Sequence, residues 1–166
     1  MQKITLAKTA GFCFGVNRAV NLLKEMVEKG EKACTLGPII HNPQVISYFE
    51  SHGVRVIEHP SECAPDETLV VRTHGVPKEI LQEIEAMSVR TCNATCPFVT
   101  KIHKIVRENS TPENVTLIAG DKAHPEVIGI RSYCNGRSFV FNTYEELEEL
   151  IKSHPDLDKN GIILVA

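Results

Sequence analysis

The sequence predicts an α/β protein of two similar small units, each a parallel sheet flanked by helices. Three observations carry that expectation. Short apolar runs rich in Val, Ile and Leu alternate with stretches whose apolar residues recur at helical spacing. Most of the joints carry a glycine or proline, the residues that stop and start helices. The joints after strands also repeat one feature, a histidine or cysteine just before the next helix. Strand-helix alternation of this kind builds parallel sheets through right-handed crossovers.

Taken in order, residues 1–7 read as a strand with Ile4 and Leu6 on one face. Val16, Ala19, Val20, Leu23, Met26 and Val27 follow at helical spacing, and Gly30 is placed to end that helix. Cys13 lies where the strand runs into the helix. Exposed backbone N–H groups and the positive helix dipole there favour thiolate over thiol, which suits a metal ligand or a nucleophile. The plainer alternative is a buried small hydrophobe.

Residues 33–36 form the next strand and Gly37-Pro38-Ile39-Ile40-His41-Asn42-Pro43 the loop behind it. Proline suits a first helical position, so a helix is expected from Pro43, with Val45, Ile46 and Phe49 buried and Gly53 as its stop. A strand over 54–57 and a polar loop over 59–66 lead to a strand over 68–72. Thr73-His74-Gly75-Val76-Pro77 turns that strand into a helix carrying Ile80, Leu81, Ile84 and Met87. A strand over 89–93, the turn Ala94-Thr95-Cys96-Pro97 and a helix marked by Phe98, Val99, Ile102, Ile105 and Val106 repeat the pattern.

The polar stretch 109–114 interrupts it, and the unit boundary is set at 1–96 and 97–166. The second unit has a strand over 115–119, the loop Gly120-Asp121-Lys122-Ala123-His124-Pro125-Glu126 and a short helix with Val127, Ile128 and Ile130. A strand over 139–141, a Glu-rich helix capped by Thr143 and a strand over 162–165 complete it.

In parallel sheets the loops after the strand carboxyl ends share one rim, where ligands bind. Cys13, His41, His74, Cys96, His124 and Glu126 all fall at such joints. Six potential ligands or acid-base groups beside helix starts favour one common site. Imidazoles at helix N-termini make a receptor for an anion, above all phosphate. Two thiols so far apart in sequence are not a zinc knuckle, but they suit an iron-sulfur cluster fed from separate loops. Glu126 stands two residues after His124, where it can relay a proton. Cys34 reads as core, Cys63 as part of a polar loop, and Cys134 precedes an Asn-Gly turn. Cys92, Cys96 and His103 make only a weak zinc pattern. His52, His59, His103 and His154 read as ordinary histidines, His103 being the first exception to consider because its helix starts at Cys96.

The net charge of −3 leaves no electrostatic footprint for nucleic acid. No apolar run reaches the ~20 residues that cross a bilayer, and no secretory leader is seen, so a cytoplasmic address is expected. Six cysteines without a dense framework point to metal or redox use of some of them.

The motifs G-F-C-F-G-V-N-R-A-V, I-H-N-P, T-H-G-V, N-A-T-C-P-F-V-T-K-I-H and H-P-E-V, in this order, resemble the 4-hydroxy-3-methylbut-2-enyl diphosphate reductase family of the non-mevalonate isoprenoid pathway. The resemblance implies three similar α/β units around a 4Fe-4S cluster held by three cysteines, of which Cys13 and Cys96 match two. It implies that His41, His74 and His124 bind the diphosphate of a small allylic substrate and that Glu126 belongs to the proton relay. A ferredoxin or flavodoxin is the implied electron donor.

Two departures are visible. Asn93 stands where the family has an acidic residue, and the sequence lacks the third cysteine, the threonine-rich segment and the Ser-x-Asn contacts. On this reading the chain is an N-terminal fragment whose third unit is absent, with residues 1–13 able to belong with that unit. The fragment alone is expected neither to retain the cluster nor to turn over. The rival readings are a non-catalytic α/β module that binds a phosphorylated ligand on the same histidine rim, and a cysteine-nucleophile enzyme using Cys13. The second ranks last, since Arg18 lies inside the helix and not in a phosphate-clamping loop.

Overall fold

The computed structural model of the protein describes residues 4–166, which form two parallel sheets flanked by helices. The first sheet contains β1 (Ala33–Leu36), β2 (Arg55–Ile57), β3 (Thr68–Val71) and β4 (Arg90–Asn93) in the order β2-β1-β3-β4. Its central strands are buried along their whole length, because helices cover both faces. Helix α1 (Phe14–Glu28) and α2 (Pro43–Ser51) lie on one face, where Ala19, Leu23 and Phe49 meet Ala33 and Val70. Helix α3 (Lys78–Ala86) lies on the other, where Ile84 and Val76 meet Cys34, Leu69 and Val71.

The second sheet contains β5 (Val115–Ala119), β6 (Arg137–Phe141) and β7 (Ile162–Val165) in the order β6-β5-β7. Helices α4 (Pro97–Asn109) and α5 (Pro125–Ser132) cover one face through Val106, Ile130 and Ile118. Helix α6 (Tyr144–Ser153) covers the other through Leu147 and Leu150. The two sheets are joined where the Lys78 N–H donates to Ser132 Oγ at 2.8 Å, tying the start of α3 to the end of α5.

In both sheets the winding direction reverses beside the first strand, between β1 and β3 and between β5 and β7. Crevices at such reversals, outside the carboxyl ends of the strands, are where parallel sheets bind ligands. No helix among the described residues is long and apolar enough to cross a membrane.

Two expectations need correction. The strand expected over 1–7 is absent from its described part, since residues 4–7 are irregular and Ile4 and Leu6 stand 93% and 82% exposed. An extended segment becomes a strand only when it pairs with a neighbour, and residues 4–7 pair with neither sheet. The expected loop 59–66 contains a 3-10 turn, Pro60–Glu62, closed by the Glu62 side chain accepting from the His59 N–H at 2.7 Å.

One ion pair anchors the amino-terminal end of the first sheet. Arg55 donates from Nε and Nη2 to the two oxygens of Glu67 at 2.9 and 2.7 Å, and Glu67 also accepts the Ala64 N–H. Arg55 holds the nearly buried carboxyl at about 2, below its ordinary 4.5. A lowered carboxylate pKa adds stability above pH 4.5 that is lost as pH falls toward 2. Arg55→Ala should cost about 2–3 kcal/mol at neutral pH, because it strands a buried charge. Urea melts should show the gap to the parent shrinking near pH 3; an unchanged gap would contradict this role.

Candidate functional site

The loops that carry the sequence-predicted residues are held together beyond the strand ends. Thr73 donates from N–H and Oγ1 to the Ile39 carbonyl at 3.3 and 2.9 Å. The Thr73 carbonyl accepts the Cys96 N–H at 2.9 Å. The loops after β1, β3 and β4 are therefore bound in one chain of hydrogen bonds. Asn42 caps α2 by accepting the Val45 N–H at 3.1 Å, with Pro43 in the first helical turn, and so fixes where His41 leaves the strand.

His41 and His74 follow the two strands that flank the reversal in the first sheet, and His124 follows β5 at the reversal in the second. Their ring centroids lie 4.6 Å apart for His41 and His74, 5.4 Å for His74 and His124, and 5.9 Å for His41 and His124. One ring nitrogen from each falls within 4.8 Å of the others. His124 caps α5, its Nδ1 accepting the Glu126 N–H at 3.2 Å. With Nδ1 used as the cap acceptor, Nε2 is the ring nitrogen free to meet a ligand.

Burial, then the charges of His41, His124 and Arg72, hold His74 at about 4, and its buried Nδ1 has no partner among the described residues. At neutral pH the His74 ring is uncharged, and it gains a proton readily once an anion arrives. Glu126 lies in the first turn of α5 and lines, with His124 and Asp121, a cleft of about 250 Å³ at the ends of β5 and β7.

The two cysteines stand at the starts of two helices that meet. Cys13 and Cys96 are the N-caps of α1 and α4, and neither side chain makes a capping hydrogen bond. Cys96 rests on the first turn of α1, where a Cβ on Gly15 would fall 2.5 Å from its Sγ. Arg18 binds the same loop, donating to the Thr95 and Asn93 carbonyls at 3.4 and 3.3 Å. Among the described residues no strand precedes Cys13, and its helix reaches Cys96 through Gly15, two positions further on. Asn93 accepts the Thr95 N–H through Oδ1 at 2.9 Å and so shapes the turn into Cys96.

The remaining cysteines differ in kind. Burial pushes the Cys34, Cys92 and Cys134 thiols up. Cys63, expected in a polar loop, is buried, and its sulfur lies within 4.8 Å of Cys34 Sγ and a Glu67 oxygen. His103 carries more than the sequence assigned to it. It is 7% exposed, stacks on Tyr133 at 4.5 Å, and is held at about 4 by burial. Its position seven residues after Cys96 on the buried face of α4 was the available signal.

Comparisons with known proteins agree with one another. A family model described as LytB protein matches residues 4–166. The 4-hydroxy-3-methylbut-2-enyl diphosphate reductase of Thermoanaerobacter sp. (strain X514) is 42% identical over 161 residues, covering 95% of this chain and 54% of the relative. That of Geobacter metallireducens is 43% identical over 161 residues, covering 97% and 55%. Among solved structures, (E)-4-hydroxy-3-methyl-but-2-enyl diphosphate reductase, described as the terminal enzyme of the non-mevalonate pathway, superposes with a TM-score of 0.72 at 32% identity, covering 98% of this chain and 66% of that one. The Plasmodium falciparum E-1-hydroxy-2-methyl-but-2-enyl-4-diphosphate reductase shares the fold, with a TM-score of 0.71 at 23% identity, over 95% of this chain and 57% of that one. The chain spans about half the length of the curated relatives it matches. With the family model matched over residues 4–166, the chain belongs to the LytB protein family.

Proposed function

We propose that this chain supplies the diphosphate receptor, the proton relay and two cluster cysteines of a 4-hydroxy-3-methylbut-2-enyl diphosphate reductase. Its units are 1–96 and 97–166. The observation that carries the reading is the meeting of His41, His74 and His124, drawn from both sheets, with ring nitrogens within 4.8 Å. Three imidazoles, each able to donate from a ring N–H, suit the several oxygens of a diphosphate.

The family's cofactor is a 4Fe-4S cluster. Cys13 and Cys96 fit it in kind: both sulfurs are free of capping bonds, both stand at helix N-termini, and Gly15 leaves the space that Cys96 Sγ occupies. When bound, the cluster supplies electrons and a Lewis-acidic iron for the substrate alcohol. The histidine receptor grips the far end of the substrate and so fixes where its hydroxyl lies. Glu126, on the helix that His124 caps, passes a proton to the departing hydroxyl, which leaves as water. The balance is one alcohol, two electrons and two protons giving the alkene diphosphate and water, with a ferredoxin or flavodoxin as electron donor.

The test uses the full-length enzyme with its cluster intact. Glu126→Gln should lower kcat by about 10²–10⁴-fold with little change in KM. His124→Ala should raise KM by about tenfold or more. Unchanged kcat in the first variant and unchanged KM in the second would overturn these roles.

A further inference from the structure

His103 sits where three segments of the candidate site meet. It projects from α4, whose N-cap is Cys96. A Cβ on Gly75 would fall 3.1 Å from its Cε1, and a Cβ on Gly129 would fall 3.3 Å from its Nε2. Gly75 directly follows His74, and Gly129 lies on α5, the helix capped by His124. Tyr133 stacks on the ring at 4.5 Å and 21°, and a cleft of about 200 Å³ opens beside both.

The ring is held by shape. Its Nε2 is buried without a hydrogen-bond partner among the described residues, so no polar bond sets its place. An unsatisfied buried polar atom costs about 1–3 kcal/mol, and native proteins carry few of them. A residue kept at that cost, between two glycines that leave it room, is doing something an apolar filler of other dimensions would not do. Burial also keeps the ring uncharged near neutral pH, so it adds no charge of its own beside the receptor.

We propose that His103 is a positioning residue, a spacer whose ring sets the separation between the His74 loop and the His124 helix and thereby tunes the receptor to a diphosphate over a single phosphate. The inference rests on the receptor reading given above.

The experiment compares the chain with His103→Ala, His103→Phe and Gly129→Ala. Alanine removes the spacer, phenylalanine keeps a ring on Tyr133, and a methyl on Gly129 pushes the ring from the α5 side. Imidazole ¹H–¹⁵N spectra are recorded without ligand, and affinities for inorganic diphosphate and inorganic phosphate are measured by calorimetry. His103→Ala should move the His74 and His124 signals and lower the diphosphate-to-phosphate affinity ratio by about tenfold. His103→Phe should restore the signals and bring the ratio to within about threefold of the parent. Loss of folded protein would lower both affinities alike, so the ratio isolates spacing.

Should the alanine variant fail to fold, Gly129→Ala, which retains the histidine, supplies the same comparison. Unmoved signals with an unchanged ratio, or no rescue by phenylalanine, would overturn the spacer. If the parent binds neither anion, the receptor reading fails, and the ligand-free signals still decide whether His103 positions the two loops.

Discussion

Gly15→Ala is expected to destabilise the chain, although alanine is the better helix former. In a helix interior the replacement gains up to about 1 kcal/mol of propensity. Here the new Cβ would stand 2.5 Å from Cys96 Sγ and 3.0 Å from Cys96 Cβ. Neither atom belongs to a long, flexible side chain, so α1 or the Cys96 turn must move. Overpacking of this kind typically costs about 1–3 kcal/mol, which outweighs the propensity gain near the middle of that range. A net loss of about 1–2 kcal/mol corresponds to a fall in Tm of about 3–6 °C for a chain of this size. Because the movement separates α1 from Cys96, assembly of the cluster in the full-length enzyme should fall with it, read as iron and sulfide per chain. The companion is Gly15→Ala with Cys96→Ala, which removes the 2.5 Å contact with Sγ and leaves the 3.0 Å contact with Cβ, so stability should return in part. A single variant as stable as the parent would mean that Cys96 does not rest on the first turn of α1.

Diphosphate affinity is expected to rise as pH falls from about 8 to about 6. In the free protein His74 is held at about 4 by burial and by the charges of His41, His124 and Arg72. A bound anion opposes those charges and raises the His74 pKa, so the complex holds more protons than its parts. For each proton taken up, affinity changes about tenfold per pH unit between the free and bound pKa values. Calorimetry in buffers of different ionisation enthalpy should count roughly one proton or more at pH 7. His74→Ala should weaken diphosphate binding by about 10–100-fold, the worth of one charge-assisted hydrogen bond, and reduce the proton count. Binding that is independent of pH would mean that His74 takes up no proton when the anion binds.

Much of the architecture was legible because local signals agreed with the fold. The central strands Ala33–Leu36 and Val115–Ala119 are mostly apolar runs in which Thr35 and Thr116 are the only polar residues, as suits strands covered on both faces. Pro43 and Thr143 mark helix starts by their own chemistry, and Gly30 and Gly53 adopt the positive φ that ends a helix. Residues 4–7, the described part of the expected first strand, are irregular because pairing depends on a neighbour elsewhere, which composition does not reveal.

The candidate site divides in the same way. That His41, His74, His124 and Cys96 follow strands was readable from order along the chain. Their convergence depends on the reversals in strand order and on Thr73 bridging Ile39 and Cys96, contacts remote in sequence. Cys63 and His103 were undervalued for one reason: burial of a residue in a loop, or on a mixed helix face, is set by what packs over it.

The central claim is that three imidazoles from two sheets act as one anion receptor. Its most direct test is a titration of the chain with inorganic diphosphate, followed through the ring nitrogen resonances of His41, His74 and His124. The account predicts that all three rings respond together, with one shared Kd and one diphosphate per chain. A response confined to one ring, or none that saturates, would contradict it.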